Sequence, residues 1–191
     1  TQSTLRSLTR SPAVPCLQLR QCVIADGWSD AWTPSAIVDK CLMLSCTQAE
    51  FCKFIPALAN NAPIQKLELL LHFWLQSEWF AQFCDTLQGN TTLQELHLSY
   101  LDIGDADWKK LLQALHAHSA LRVLDLSFTE KFVDTFRRLD EERRTQRSQA
   151  VLELVQSNRN IQVLTWPEFQ HDEEIMKTVT GILAQRAEGS N

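Results

Sequence analysis

The chain is short of the residues that keep a polypeptide irregular. It holds five glycines and six prolines in 191 residues, while 45% of its residues are hydrophobic. That balance excludes a low-complexity or disordered chain and predicts ordered elements with few breaks. No apolar run reaches the roughly 18 residues of a membrane span, and no signal-peptide pattern opens the sequence. A basic excess is also missing. The formal net charge is −5 with both signs mixed along the chain, so neither nucleic acid nor a membrane surface is an expected partner. The cysteines at 16, 22, 41, 46, 52 and 84 form no C-x-x-C pair and no metal-finger spacing. They read as reduced, largely buried thiols of a cytoplasmic protein. A Gly-rich phosphate loop, a nucleophile elbow and a metal-ligand motif are all lacking, so no cofactor, no metal and no catalytic set is expected. The first residue is Thr1 rather than Met, as in a processed chain or an excised part of a longer protein.

What the sequence does contain is a recurring leucine frame. Leu93, Leu96, Leu98, Leu101 and Ile103 follow the spacing L-x-x-L-x-L-x-x-φ-x-φ, where φ is apolar. The frame starts again at Leu121 with Leu124 and Leu126, 28 residues on, after about a dozen helix-like residues. A period in the twenties, with one strand and one helix per unit, marks a leucine-rich solenoid. At these residues the chain resembles the leucine-rich repeat family, and its repeat length is most similar to the ribonuclease-inhibitor subfamily. Asn90 to Leu93 and His118 to Leu121, each between a helix and the next strand, strengthen the likeness. The resemblance implies an α/β solenoid of about six repeats in a single domain, with a parallel β-sheet on the concave face and helices on the convex face.

Residues 1–13 read as the end of an earlier repeat or an N-terminal cap. Repeats then span 14–160. The first carries Val14, Leu17, Leu19, Cys22 and Ile24, and the degraded second carries Val38, Cys41, Met43 and Cys46. Cys22 and Cys46 are expected to stack in adjacent repeats. Thr47 to Glu50 reads as a capping box opening a helix with Phe51, Phe54, Ile55 and Leu58 on one face. Ile64, Leu67 and Leu69 begin the third repeat, with His72 in the Asn/Cys position, and Ser77 is expected to cap a helix bearing Trp79, Phe80, Phe83 and Leu87. Asp105 is expected to cap the next helix, with Trp108, Leu111, Leu112 and Leu115 on its apolar face. The fifth repeat is longer: its successor, Ile161, Leu164 and Trp166, starts 40 residues after Leu121. The extra length is a charged helical insertion near 130–150, with opposite charges four apart at Arg137/Glu141, Arg138/Glu142 and Asp140/Arg144. It reads as a solvated helix or, alternatively, a docking surface. Residues 161–191 form a C-terminal capping repeat, its helix capped by Asp172 with Ile175, Met176, Val179, Ile182 and Leu183 on the apolar side.

Alternate residues of a strand face opposite sides. The position between the two leucines of L-x-L then gives an outward row of Gln18, Leu42, Glu68, His97, Asp125 and Thr165. A second set of outward or strand-exit positions holds large apolar residues: Leu44, Leu70, Leu71, Tyr100 and Phe128. Such a patch marks an interaction site, and Tyr and Phe are typical anchors. Glu68, His97 and Asp125 on consecutive strands, with Ser99 and Ser127 on the same face, superficially suggest a Ser-His-acid set or a metal site. An open sheet supplies neither pocket nor oxyanion donor, so cross-strand charge pairing is preferred. His116 and His118 read as favourable charges at a helix C-terminus.

The function expected from this reading is non-catalytic protein–protein interaction, with a protein partner bound on the concave and ascending-loop surface by a chain that is itself a monomer. The candidate contact residues are Leu44, Leu70, Leu71, Tyr100, Phe128, Glu68, His97 and Asp125. The alternatives are the substrate-recruiting part of a larger ligase complex, a bacterial effector delivered into a host cytoplasm, or a hydrolytic or metal site at Glu68, His97 and Asp125.

Overall fold

Residues 16–20, 40–45, 48–59, 64–70, 77–99, 103–126, 140–166 and 172–189 are described by a computed structural model. Within them the strands are β1 (Cys16–Arg20), β2 (Lys40–Ser45), β3 (Ile64–Leu70), β4 (Glu95–Ser99), β5 (Val123–Asp125) and β6 (Val163–Thr165). The helices are α1 (Gln48–Ala59), α2 (Ser77–Gly89), α3 (Asp105–His116), α4 (Glu141–Ser157) and α5 (Glu173–Glu188). The protein is α/β. All six strands join one sheet in chain order, and every neighbouring pair is parallel. Parallel neighbours cannot be joined by a tight hairpin, which is why a helix or long connection follows each strand.

The sheet is apolar on one side because its strands alternate. Leu67, Leu69, Leu96, Leu98, Leu124 and Leu126 are fully buried, while Lys66, Glu68, Glu95, His97, Val123 and Asp125 between them are partly exposed. The buried row packs into one core with the apolar faces of the helices. α1 contributes Phe51, Phe54, Ile55 and Leu58, and α2 contributes Phe80, Phe83, Cys84 and Leu87. Phe51 meets Phe83 edge-on with ring centroids 5.2 Å apart, a favoured aromatic geometry. Trp108, Leu111, Leu112 and Leu115 of α3 join the same core, all essentially buried. Consecutive helices pack side by side from α1 to α5. No described helix is long and apolar enough to cross a membrane.

Two sequence expectations about helix ends change, and one cap is new. Asp105 does not cap α3: Gly104 is the N-cap, without a side-chain hydrogen bond. The Asp105 carboxylate instead accepts from Arg147 Nε at 2.7 Å and lies 3.5 Å from Arg143 Nε, because two guanidinium donors outcompete a free amide. Ser77 is the first residue of α2 and donates to Asp107 Oδ2 at 3.2 Å. Asp140 caps α4 by accepting from the Arg143 amide at 2.9 Å. By contrast, Asp172 caps α5 as expected, accepting from the amides of Glu174 and Ile175. On the apolar side of α5 only Val179 is fully buried, while Ile175, Met176, Ile182 and Leu183 pack partly against the core.

The second strand is displaced by one residue from the sequence reading. β2 pairs Leu42 with Leu67, Met43 with Glu68 and Leu44 with Leu69, after an irregularity between Lys40 and Cys41. Leu42 therefore leaves the outward row and Met43 enters it. Leu44 takes the register position of Leu69, whose side chain is fully buried. A one-residue slip changes which positions of a strand share a row, and this register sets Leu42 and Leu44, rather than Cys41 and Met43, beside Leu67 and Leu69. Cys22, Cys46, Thr47, Leu71, His72, Tyr100, Ser127, Phe128, Arg137 and Arg138 lie outside the described residues.

Candidate functional site

The outward side of the sheet carries a ladder of paired polar groups. Glu68, His97, Asp125 and Thr165 are register partners on β3 to β6, as the leucine frame implies. The row before them runs Lys66, Glu95, Val123 and Val163, and Leu70 stands beside Ser99 in the row after. Each strand holds these side chains outward because its flanking leucines are drawn into the core. Lys66 Nζ lies 3.3 Å from Glu95 Oε2. His97 stands between two carboxylates, Nδ1 3.2 Å from Asp125 Oδ2 and Nε2 3.5 Å from Glu95 Oε2. A neutral imidazole has one N–H and donates to only one of them; an imidazolium serves both. Glu68 makes no ion pair or hydrogen bond with any described residue. Val163 is 50% exposed on the same face and is the most exposed large hydrophobic residue described.

The structure thus brings Glu68, His97 and Asp125 together. Leu70 is half-buried on the outward side, next to Ser99. Val163 appeared in the sequence rows as an outward position but carried no role there. Its exposure goes with the place of β6 at the edge of the sheet, where no further described strand covers it and Leu164 is itself only partly buried. Among the described residues no group of three or more His, Cys, Asp or Glu side chains could hold a metal ion.

A second polar array lies on the helix side, at the joints between helix and strand. Asn90 donates from Nδ2 to Leu58 O at 2.9 Å and accepts from the Leu93 amide at 2.8 Å. Asn158 donates to Leu115 O and His118 O and accepts from the Asn160 amide. His118 fills the equivalent joint between α3 and β5. It is 1% exposed, and its Nδ1 accepts from the amides of Ala120 and Leu121 at 3.4 and 3.1 Å. Burial pushes its pKa below the ordinary histidine value. The sequence reading of His118 as a cation at a helix end is therefore corrected: it is a neutral acceptor that substitutes for asparagine. Its position 28 residues after Asn90 was the available signal.

Between α3 and α4 lies an open groove of about 380 Å³ lined by Asp105, Trp108, Lys109, Arg147, Ala150 and Glu153, among others. Arg147, inside the charged insertion, is only 5% exposed. It donates to Asp105 and to Ile103 O at 3.1 Å, and its guanidinium carbon lies 5.5 Å from the Trp108 ring centroid. The charged run is thus solvated along residues 140–146, apart from a half-buried Arg144, and anchored at 147.

No protein-family model and no curated protein matches this sequence. Among solved structures it is similar to "Leiomodin-1 Actin-Binding Site 2 (ABS2)". That similarity has a TM-score of 0.58 and 13% sequence identity, and covers 99% of this chain and 88% of that one. The likeness is one of fold. At such identity the side chains of the two sites are free to differ, and function does not travel with the backbone.

Proposed function

We propose that this chain is a non-catalytic protein-interaction module, a leucine-rich solenoid of about six units that works as a monomer in the cytoplasm. The carrying observation is the asymmetry of the sheet: one face closed by helices, the other presenting Glu68, His97, Asp125, Leu70 and Val163 partly exposed. A rigid parallel sheet holds such a row at fixed spacing without loop ordering, which lowers the entropic cost of binding. Leu71, Tyr100 and Phe128, which follow β3, β4 and β5 in the sequence, extend the proposed contact surface beyond the described residues. The 28-residue recurrence of the leucine frame supports the repeat reading.

His97 beside Asp125 meets one requirement of acid–base chemistry, a base oriented by a carboxylate. Its placement on an open strand, between two carboxylates of which Glu95 also pairs with Lys66, favours contact over catalysis. The structural neighbour makes actin one partner to try, on the strength of that protein's title alone.

The test is to cross-link partners to the wild type, Val163→Asp, Tyr100→Ala and Phe128→Ala, with Glu153→Lys on the helix side as control. Partners lost in the first three and kept in the control support the reading. Partners lost only in Glu153→Lys would move the interface to the helices and end it.

A further inference from the structure

The outward face is unevenly charged along its middle strands. From β3 to β5 it presents the carboxylates of Glu68, Glu95 and Asp125 against a single lysine, Lys66, with His97 among them. Lys66 and His97 are committed to Glu95 and Asp125. Glu68, in register with His97, has no counter-charge among the described residues. At the far side of the same face Val163 exposes half of its surface.

We infer that this face takes an extended basic segment of a partner protein, with a lysine or arginine set against Glu68 and an aliphatic side chain laid on Val163. The inference rests on the sheet-face reading above and adds the partner's chemistry to it. A half-buried carboxylate without a counter-ion favours a cationic partner and repels an anionic one, which sets specificity more than raw affinity. The aliphatic contact adds burial that the charged centre cannot supply. Spacing follows from the sheet. Glu68 on β3 and Val163 on β6 are three strand steps apart, each about 4.8 Å, with one outward position of offset. An extended segment covers that diagonal in roughly four or five residues. The recognised pattern is therefore a basic residue followed, or preceded, by an aliphatic one at that distance.

The experiment uses the full chain and two fluorescent eight-residue peptides that differ only in one residue, Lys or Glu, placed four positions from a leucine. Anisotropy is read at about 0.15 M salt, where only close charges still act. The Lys peptide is expected to bind at least about tenfold more tightly than the Glu peptide. Glu68→Gln is expected to weaken it about tenfold, equivalent to about 1.4 kcal/mol. Val163→Asp should weaken it too, and Glu153→Lys on the helix side should leave it unchanged. Equal binding of the two peptides, no binding of the Lys peptide at about 1 mM, or equal losses in Glu68→Gln and Glu153→Lys overturn the inference. A cross-linked partner that depends on Val163 but touches the face with an acidic or neutral segment would overturn it while leaving the interaction module standing. Loss of face dependence for every partner removes both.

Discussion

Arg147 Nε donates to Asp105 Oδ1 at 2.7 Å across 42 residues of sequence, joining the charged insertion to the first residue of α3. The same guanidinium donates to Ile103 O and stacks on Trp108. A residue that reads as one charge in a soluble run is thus the pin that seats α4 on α3.

Replacing that pin should be costly, and replacing its neighbour should not. Arg147→Met keeps much of the volume but removes the donors to a half-exposed carboxylate and a buried carbonyl. The expected loss is about 1–3 kcal/mol in urea unfolding. Arg143→Ala removes an exposed pair to the same carboxylate and should cost at most about 0.5 kcal/mol. Equal effects would show that burial of Arg147 contributes nothing.

Acid should loosen the α3–β5 joint. His118 has its folded pKa held below the ordinary histidine value by burial, so the unfolded chain takes up the proton first. Its contribution to stability is complete above the unfolded pKa, about 6.5, and is lost as pH falls below it toward the folded value. Protonation would also turn Nδ1 from acceptor to donor against the amides of Ala120 and Leu121. His118→Asn installs the residue found at the neighbouring joints and should flatten the change in urea midpoint between about pH 7.5 and 5. An unchanged slope would assign the acid sensitivity elsewhere.

The His97 ladder should matter little for folding. Its partners are partly solvated, and His97→Ala is expected to change stability by less than about 1 kcal/mol. Equilibrium denaturation at neutral pH checks this, and a larger loss would make the ladder structural.

Cys84 should be chemically silent in the native chain. It is fully buried, and its thiol is pushed up to about 12, chiefly by desolvation. Almost no thiolate exists at neutral pH, so alkylation of Cys84 should require unfolding. Peptide mapping after a pulse of iodoacetamide, with and without urea, gives the answer.

The parallel order of strands and the alternation of Leu96, His97 and Leu98 were legible because period 2 and the leucine frame agree at those residues. The second strand was not. In the run from Cys41 to Leu44 every residue is apolar, so two registers fit the frame, and only the pairing with β3 selects the one that sets Leu42 beside Leu67 and Leu44 beside Leu69. Asp105 and Arg147 were hidden for another reason: their partnership spans 42 positions, beyond any local helical spacing. His118 was misjudged because residue type was weighed above its place opposite Asn90. Whether the outward ladder binds anything depends on a partner, which neither spacing nor burial in a lone chain contains.

The joints give the chain a direction. Asn90 reaches back to Leu58, Asn158 to Leu115, Arg147 to Ile103, and Arg186 to Asn158 and Ile161. In each case the donor comes later in the sequence than the carbonyl it satisfies. A chain emerging from the ribosome would meet each of these acceptors already made, whereas Trp108 Nε1, which donates to Arg147 O, and the Leu126 amide, which donates to Thr165 O, wait for the unit that follows. His118, whose Nε2 has no hydrogen-bond partner among the described residues, makes no such backward side-chain bond from the joint between α3 and β5.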